Sequence, residues 1–218
     1  MQVLRLAFIG LVARPLARIF TGVDVVGREH LPRTGPAIVA ANHTSHVDTL
    51  LMLAIFPGRT VLKVRPAAAA DYFLRTPLSS WFSRTLIGIV PVARDRVKDG
   101  EDILAPAREA LQRGDIVVVF PEGTRGSDGD GMGRLKNGVA RLAEGFPDAP
   151  VTPVWIQGAG RVLPKGAVIP VPMNCWVAAG APLHWDGRRT AFMDALRDRL
   201  LALKEIAPPL RWRGDSDA

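Results

Sequence analysis

Residues 115–120, DIVVVF, form a nearly continuous apolar run that leads into a proline and a glycine-containing loop. A short run of this kind, rich in valine and bounded by turn residues, is typical of a strand that is buried on both of its faces. Residues 36–41, PAIVAA, form a second such run. Strands buried on both faces lie in sheets that helices cover, so these runs constrain the chain to an α/β fold.

Other apolar runs alternate with segments of helical periodicity. We predict strands at residues 23–27, 36–41, 59–64, 89–94, 115–120, 150–158, 168–172 and 174–180. We predict helices at residues 49–56, 71–88, 102–113, 134–146 and 188–206. The predicted fold class is α/β: a mixed, largely covered sheet with helices on both faces, preceded by a short amphipathic N-terminal helix. We expect three parts, at residues 1–20 (the helix), 21–208 (the main domain) and 209–218 (a flexible tail).

The charge and the cysteine content narrow the classes of partner. The 218 residues have a formal net charge of +7, which favours nucleic acid, anionic lipid head groups or phosphorylated small molecules. No basic helix or aromatic sheet motif that reads nucleic acid is evident, so we expect no nucleic-acid partner. The single cysteine, Cys175, excludes an intramolecular disulfide and a cysteine-rich zinc module.

The N-terminal segment has the composition of a helix at a membrane surface. Its apolar stretch, residues 6–13, is far shorter than the roughly 20 residues that a spanning helix requires. We predict peripheral or monotopic attachment to the cytoplasmic face of the inner or plasma membrane; the alternative is a helix packed on the domain's own core. The candidate membrane-facing residues are aromatic or basic: Arg5, Phe8, Arg14, Arg18, Phe20, Tyr72, Phe73, Arg75, Trp81, Phe82 and Arg84.

Residues 42–48, NHTSHVD, follow the first buried run and combine two histidines with an aspartate. His43 and Asp48 are five residues apart, which is about 500 degrees on an ideal helix, so both cannot be helical and share a face. They can meet only if His43 lies in the loop and Asp48 in the first helical turn. Ser45 and Asp48 also fit a helix capping box, and that role alone would account for the aspartate.

Residues 120–126, FPEGTRG, follow the second buried run. Their glycines leave backbone N–H groups open to an anion, and Arg125 offers a guanidinium fork that matches phosphate. Arg94 and Lys136 lie in motifs that could reach the same place. Because loops at the carboxyl ends of strands gather ligands in α/β sheets, we expect this loop and NHTSHVD to form one site.

Five motifs follow one another in the order NHTSHVD, GIVPVAR, FPEGTRG, KNG and VTPVWI. This order and its approximate spacing resemble the glycerolipid acyltransferases, most closely the lysophosphatidic acid acyltransferase family. The likeness spans residues 23–160, most of the chain. FPEGTR together with the histidine and aspartate is the most specific part of it.

The resemblance implies an O-acyltransferase. It would move a fatty acyl chain from an acyl-CoA or acyl-ACP thioester to the hydroxyl of a lysophosphatidic acid-like glycerolipid, giving phosphatidic acid by direct attack. It implies that His43 is the general base and that Asp48 orients it. The implied substrate-binding residues are Arg94, Glu122, Gly123, Thr124, Arg125 and Lys136. No cofactor or metal is expected; the implied partners are a membrane surface, a lysophospholipid, and acyl-CoA or acyl carrier protein as co-substrate.

The sequence leaves three other functional interpretations open. One is an acyltransferase that acts on another lysophospholipid or lipid alcohol. Another is a metal-dependent hydrolase with His43, His46 and Asp48 as ligands, although a catalytic zinc site takes three protein ligands with a satisfied second shell. The last is a non-catalytic protein that binds membrane lipid through its basic surface, which would leave the pair of His43 and Asp48 unexplained.

Overall fold

The computed structural model describes residues 1–69, 76–92, 102–124, 126, 132–164, 166–167 and 169–209. Within them the α-helices are α1 (Gln2–Phe8), α2 (Arg14–Thr21), α3 (Val47–Ile55), α4 (Pro77–Phe82), α5 (Ala105–Gln112), α6 (Gly138–Gly145), α7 (Ala159–Val162) and α8 (Arg189–Glu205). Two π-helical segments, Ile9–Ala13 and Ser83–Ile87, continue α1 and α4, and two 3₁₀ turns lie at Arg28–His30 and Thr60–Lys63.

Seven strands form one sheet. They are β1 (Asp24–Val26), β2 (Ala37–Ala41), β3 (Val64–Ala69), β4 (Val90–Val92), β5 (Ile116–Val119), β6 (Val151–Gln157) and β7 (Trp176–Ala179). Their order across the sheet is β1-β7-β6-β2-β5-β3-β4. All neighbouring pairs are parallel except β6 and β7, which are antiparallel.

Helices cover both faces of this sheet. The first hydrophobic core contains residues of the N-terminal helix, α3 and α7, whereas the second contains residues of α5, α6 and α8. Every residue of β2 and of β5 is buried, as their continuous apolar sequences predict. The mixed, covered α/β sheet and its N-terminal helix are therefore confirmed.

The adjacency of β2 and β5 determines where the site forms. The two strands are parallel and in register from Ala37 opposite Ile116 to Ala40 opposite Val119. Their carboxyl ends therefore reach the same edge of the sheet, and the loops NHTSHVD and FPEGTRG leave side by side.

The strand predicted at residues 59–64 is wrong. Thr60–Lys63 is a 3₁₀ turn, and the strand β3 begins only at Val64. Val61 and Val64 are both fully buried, and their separation of three residues matches the 3₁₀ repeat rather than the alternation of a strand. The following segment, VRPAAA, is a strand because it pairs with both β5 and β4.

The strand predicted at residues 168–172 is also wrong. Residues 169–172 have no strand structure, and Ile169 is 81% exposed; residue 168 lies outside the described residues. Pro170 and Pro172 remove two N–H donors, and β7 already pairs with β6.

The helix predicted at residues 134–146 begins four residues later, at Gly138. The backbone N–H of Lys136 donates to Pro121 O over 2.7 Å. This bond ties residues 134–137 to the FPEGTRG loop, so they are not available for a helical turn.

The N-terminal helix is packed on the domain through one face only. Ile9, Ala13 and Ala17 are fully buried, whereas its other side exposes large apolar residues: Met1, Val3, Leu4, Leu11, Val12, Leu16 and Ile19. Leu78, Trp81 and Phe82 of α4 are exposed as well, and Phe82 contacts Phe8 edge to face at 5.4 Å. One side of the helix therefore packs on the core, as the alternative interpretation expected, and the other side exposes apolar residues.

Arg5 is buried, so its assignment to a membrane-facing surface is wrong. Its guanidinium donates to four carbonyl oxygens: Leu62 O at 2.8 Å, Val64 O at 2.7 Å, Leu86 O at 3.3 Å and Ile87 O at 2.9 Å. Burial, with repulsion from Arg65 as the next cause, lowers the pKa of Arg5 to about 10, so the group remains charged at neutral pH. Arg5 therefore links the N-terminal helix to two other segments of the chain.

The other candidates for membrane contact are divided between surface and core. Arg18, Trp81, Phe82 and Arg84 are exposed. Phe8 and Phe20 are half-buried and pack against the first core, because their rings lie toward the sheet rather than toward solvent. Arg14 is also half-buried. Tyr72, Phe73 and Arg75 lie outside the described residues.

Replacing Arg5 with alanine is expected to lower the free energy of unfolding by about 3 kcal/mol, because four buried acceptors lose a charged donor. Arg197, an exposed arginine of α8, is the matched control, and Arg197→Ala is expected to change the value by under about 0.5 kcal/mol. Urea unfolding followed by circular dichroism measures both. Equal midpoints for the two variants would contradict this assignment of Arg5.

Candidate active site

His43 and Asp48 meet in the loop between β2 and α3. Nδ1 of His43 lies 2.8 Å from Oδ2 of Asp48. Asp48 is the second residue of α3, and His43 lies four residues before the helix begins. This is the arrangement that the five-residue spacing required: the histidine precedes the helix and the aspartate belongs to its first turn.

Asp48 is completely buried, and three groups donate to one of its oxygens. Oδ2 accepts from the backbone N–H of Thr44 at 2.7 Å and of Ser45 at 2.8 Å, besides contacting the His43 ring. Short hydrogen bonds from these groups fix the position of the carboxylate. The aspartate therefore organises the turn and orients the imidazole at the same time.

Ser45 is not the helix cap that its position in the sequence suggested. The N-cap of α3 is His46. The Ser45 hydroxyl accepts weakly from Val47 N–H at 3.3 Å and donates to Leu163 O at 2.9 Å, which ties the loop to the end of α7. Only the aspartate half of the capping box is present, through the Ser45 N–H.

The backbone of His43 is held on both sides by the second loop. Its N–H donates to Glu122 Oε1 at 3.1 Å, and its carbonyl accepts from Gly126 N–H at 2.9 Å. Its ring also stacks on Phe120 with a centroid distance of 4.3 Å. The side chain is 19% exposed, so the imidazole is fixed in place but accessible.

Glu122 joins three parts of the site. While Oε1 accepts from His43, Oε2 accepts from the backbone N–H of Gly133 at 3.0 Å. Both oxygens are thus engaged by the protein's own backbone. Its predicted role in substrate binding stays a prediction.

A polar cavity of about 700 Å³ adjoins this carboxylate. Its described lining residues are Glu122, Thr124, Gly126, Gly133, Arg134, Leu135, Lys136 and Asn137. Arg134 and Lys136 place two cations at the wall of this cavity, a composition suited to an anionic group.

A second cavity, of about 420 Å³, has mostly apolar walls and contains His43 in its lining. The apolar part comes from β3, β5, α5 and α6, and includes Ala67, Val119, Leu104 and Leu142. Thr124, Lys136 and Asn137 line both cavities. The imidazole therefore lines the apolar cavity, and another part of that cavity's wall also lines the polar cavity.

Because Gly123 has no side chain, the Lys136 side chain can lie directly against the backbone of this loop. A Cβ at position 123 would lie 2.6 Å from Lys136 Nζ, and the glycine has φ of +70°. The positive φ favours glycine, and a methyl group here would displace the flexible Lys136 side chain. Of the other residues predicted to bind substrate, Thr124 lines both cavities, and Arg94 and Arg125 lie outside the described residues.

Asn42 and Phe120 were not singled out from the sequence. Asn42 is buried; its amide accepts from Ile156 N–H at 2.6 Å and donates to Ile156 O at 2.8 Å, which fixes the end of β2 against β6. The available signal was a polar residue directly after a fully apolar strand, where a buried amide needs partners. Phe120 gave the weaker signal of an aromatic residue at the end of β5.

The described residues contain no group of three or more His, Cys, Asp or Glu side chains that could hold a metal ion. His43 and Asp48 contact each other directly, whereas His46 caps α3 and lines the apolar cavity. The geometry thus supports proton transfer by an imidazole with a buried carboxylate behind it.

A histidine–aspartate pair beside an apolar cavity that adjoins a polar one, at the carboxyl edge of an α/β sheet, defines a class of protein that can act on an amphiphilic ligand. The family model "Acyltransferase" matches residues 22–157. The chain belongs to the acyltransferase family.

Relatives with more specific names are similar to most of the chain. A 1-acyl-sn-glycerol-3-phosphate acyltransferase alpha of Mus musculus is 34% identical, covering 88% of this chain and 67% of the relative. The 1-acyl-sn-glycerol-3-phosphate acyltransferase of Pseudomonas aeruginosa is 28% identical, covering 88% and 74%. A chloroplast enzyme of that name from Brassica napus is 30% identical, but this chain spans only 41% of its length.

The fold is also similar to a solved structure. The crystal structure of PlsC, the 1-acyl-sn-glycerophosphate (LPA) acyltransferase of Thermotoga maritima, matches with a TM-score of 0.71 and 27% sequence identity. The match covers 95% of this chain and 80% of that one. The resemblance inferred from the five motifs is therefore confirmed.

Proposed function

We propose that the protein transfers a fatty acyl chain from an acyl-CoA or acyl-ACP thioester to the hydroxyl of lysophosphatidic acid, which gives phosphatidic acid. The observation that supports this most is the position of the His43–Asp48 pair: His43 lines an apolar cavity, and part of that cavity's wall also lines the cavity that contains Arg134 and Lys136. An acyl chain suits the first cavity and a phosphate suits the second. The names of the relatives support the same substrates.

The chemistry follows from the orientation of the imidazole. With Nδ1 directed to Asp48, Nε2 is the ring nitrogen that takes the proton of the acceptor hydroxyl as its oxygen attacks the thioester carbon. The new C–O bond forms, the C–S bond breaks, and the thiolate leaves with the proton that the imidazolium returns. The buried carboxylate stabilises the imidazolium. Because the acceptor hydroxyl itself attacks the thioester, no acyl-enzyme is needed.

Glu122 acts, in this proposal, as a positioning residue. Its carboxylate and the Gly126 N–H hold the backbone of His43 from opposite sides, while Phe120 supports the ring. A base held in one geometry loses little entropy at the moment of attack, which is where a large part of enzymatic rate arises.

The negative charge that develops on the thioester oxygen needs donors from the second loop. The amides of His43, Thr44 and Ser45 are already engaged with Glu122 or Asp48. Those three amides are therefore not free to face the thioester oxygen. In the PEGTRG turn the amides of Gly123 and Gly126 donate to Phe120 O and His43 O, so the candidates among the described residues are the amides of Glu122 and Thr124. Each well-placed donor is worth roughly 3 kcal/mol of transition-state stabilisation.

The phosphate of the acceptor lies, in this proposal, in the polar cavity against Lys136 and Arg134. Thr124 marks the boundary with the apolar cavity. Arg94 and Arg125 remain predicted phosphate ligands on the strength of the sequence resemblance alone.

Gly123→Ala is expected to lower kcat/KM for the acceptor about tenfold, because the side chain would strain a positive φ and displace Lys136. Gly145→Ala, at the end of α6 and outside both cavities, is the control, since a Cβ there meets no described atom within 4 Å; a change under about twofold is expected. Steady-state transfer rates at varied lysolipid concentration measure both, and equal effects would contradict the proposed path of the Lys136 side chain.

The exposed apolar side of the N-terminal helix supports contact with a membrane surface. Leu11 is 78% exposed and Ile19 is 65% exposed, and continuous apolar surface of this kind marks an interaction site. We propose peripheral or monotopic attachment to the cytoplasmic face of the membrane from which the lysolipid is drawn. Among the described residues, no helix is both long and apolar enough to cross a bilayer.

Substitution of surface residues tests this attachment more cleanly than deletion of the helix, because Ile9 and Ala13 belong to the core. We expect the double variant Leu11→Gln, Ile19→Gln to bind phospholipid vesicles at least about tenfold more weakly, since two apolar side chains no longer enter the interface. Unchanged partitioning would contradict the attachment.

The substrates are tested by offering labelled acyl-CoA and labelled acyl-ACP with a panel of lysolipids that differ in head group. We expect labelled phosphatidic acid from lysophosphatidic acid, and lower rates for acceptors whose phosphate carries a further substituent. A higher rate with a different lysophospholipid or lipid alcohol would replace the acceptor. No acylated product from any donor and acceptor would overturn the proposed function.

A further inference from the structure

A third cavity, of about 270 Å³, lies away from His43, between α2, the chain that follows it and the C-terminal end of α3. Its described lining residues are Arg14, Ala17, Arg18, Val23, Arg28, Ala54, Ile55, Phe56, Pro57 and Gly58. His43 and Asp48 lie at the other end of α3, whose nine residues span about 14 Å. The cavity is therefore separate from the candidate active site.

Three arginines and no acidic residue stand among these described lining residues. Arg18 and Arg28 are exposed, and neither forms an ion pair or side-chain hydrogen bond with the residues that the structure describes. Like charges around one small cavity repel each other, and a bound anion would remove that cost.

Arg14 is half-buried and contacts the end of α3 at one side of this cavity. One of its terminal nitrogens donates to Phe56 O at 2.6 Å, so part of the guanidinium caps the C-terminal end of α3. Its Nε is buried and has no hydrogen-bond partner within the described part of the chain. A buried donor without a partner is uncommon, so the protein's described groups satisfy the Arg14 guanidinium only in part.

The shape and position of the cavity suit the phosphate of a lipid. A guanidinium fork matches two phosphate oxygens, and three such groups suit a dianionic or monoanionic phosphate. Val23, Ile55 and Phe56 supply apolar wall for the adjoining carbon atoms. Arg14 and Arg18 share a helix with the exposed apolar residues Leu11, Leu16 and Ile19, so the cavity lies at head-group depth when that side rests on a bilayer.

We propose that Arg14, Arg18 and Arg28 form a second phosphate site, which holds the head group of an anionic phospholipid of the bilayer and not the lipid that reacts. The proposed attachment through the apolar helix surface places this site at the bilayer. Its role does not depend on acyl transfer, because none of its residues contacts the His43 site.

The test measures binding of the full-length protein to phosphatidylcholine vesicles, alone or mixed with phosphatidic acid or phosphatidylglycerol. Arg18→Gln, Arg28→Gln is expected to lose about 25-fold in affinity for the anionic vesicles, roughly fivefold per arginine. Arg188→Gln, Arg197→Gln is the control of equal net charge, with both residues exposed on the opposite side of the sheet; a loss under about twofold is expected.

A variant that keeps the positive charge distinguishes specific phosphate binding by the guanidinium groups from nonspecific electrostatic attraction to the membrane. Arg18→Lys, Arg28→Lys keeps the charge but loses both forks, so we expect at least about fivefold weaker binding to anionic vesicles. Wild-type binding by the lysine variant, or equal losses in the two glutamine variants, would overturn the proposal.

Two further measurements identify the ligand and separate the test of this phosphate site from the test of acyl transfer. Inorganic phosphate at millimolar concentration is expected to leave vesicle binding within about twofold of its original value, since a lipid is also held by the apolar surface. If phosphate raised the unfolding temperature through these arginines while the glutamine variant bound vesicles normally, free phosphate would be the ligand and the lipid proposal would be wrong. His43→Ala is expected to bind vesicles like the wild type, whatever its effect on transfer.

Discussion

His43→Ala is expected to lower kcat/KM for acyl transfer about 10³-fold to 10⁴-fold, because the imidazole that takes the proton of the acceptor hydroxyl in the proposed mechanism is then absent. The ring is the only part of His43 that the substitution removes; the backbone bonds to Glu122 and Gly126 remain. The loop is therefore expected to keep its position, and the loss is expected in kcat rather than in KM.

The matched control for this variant is His184→Ala. His184 is an exposed histidine and lies in neither of the two cavities, so a change under about twofold is expected. Initial rates with acyl-CoA and lysophosphatidic acid measure both variants. A His43→Ala enzyme that retains more than a tenth of the wild-type rate would show that another group acts as the base.

Asp48→Asn is expected to lower kcat about 10³-fold and also to destabilise the fold by about 2–4 kcal/mol. Oδ2 accepts from two backbone amides and contacts the imidazole, whereas an asparagine offers one acceptor oxygen and introduces an NH₂ group among donors. Either the turn or the imidazole loses its partner.

The combined effect distinguishes Asp48 from a residue that acts in catalysis alone. Asp194→Asn, at an exposed acid of α8, is the control and is expected to leave both quantities unchanged within about twofold and 0.5 kcal/mol. Transfer rates and urea unfolding are measured on the same preparations. A variant with wild-type stability but no activity would contradict the structural half of this role, and the reverse result would contradict the catalytic half.

The sheet and the contact between His43 and Asp48 could be predicted from the sequence because local sequence patterns determine them. PAIVAA and DIVVVF could only be buried strands, and the five-residue spacing of His43 and Asp48 required a loop followed by a helix. The same reasoning failed at residues 59–64 and 168–172, where short valine-rich segments contain no information about which neighbour supplies hydrogen bonds.

Long-range contacts account for what the sequence did not show. Glu122 reaches the His43 N–H across 79 residues, which follows only from the adjacency of β2 and β5. Arg5 is buried because four carbonyls converge on it from two distant segments, while leucines of the same helix face outward. An average preference for buried leucine and exposed arginine predicts the opposite arrangement.

Direct acyl transfer assisted by His43 is tested most directly by following the acyl label with and without the acceptor lipid. The enzyme is mixed with labelled acyl-CoA or acyl-ACP, and thiol release, protein-bound label and labelled lipid are quantified at each time. Direct attack assisted by His43 predicts no thiol release and no labelled protein without lysophosphatidic acid, then one thiol for each phosphatidic acid formed once it is added. Labelled protein, or thiol release that does not require the acceptor, would contradict it.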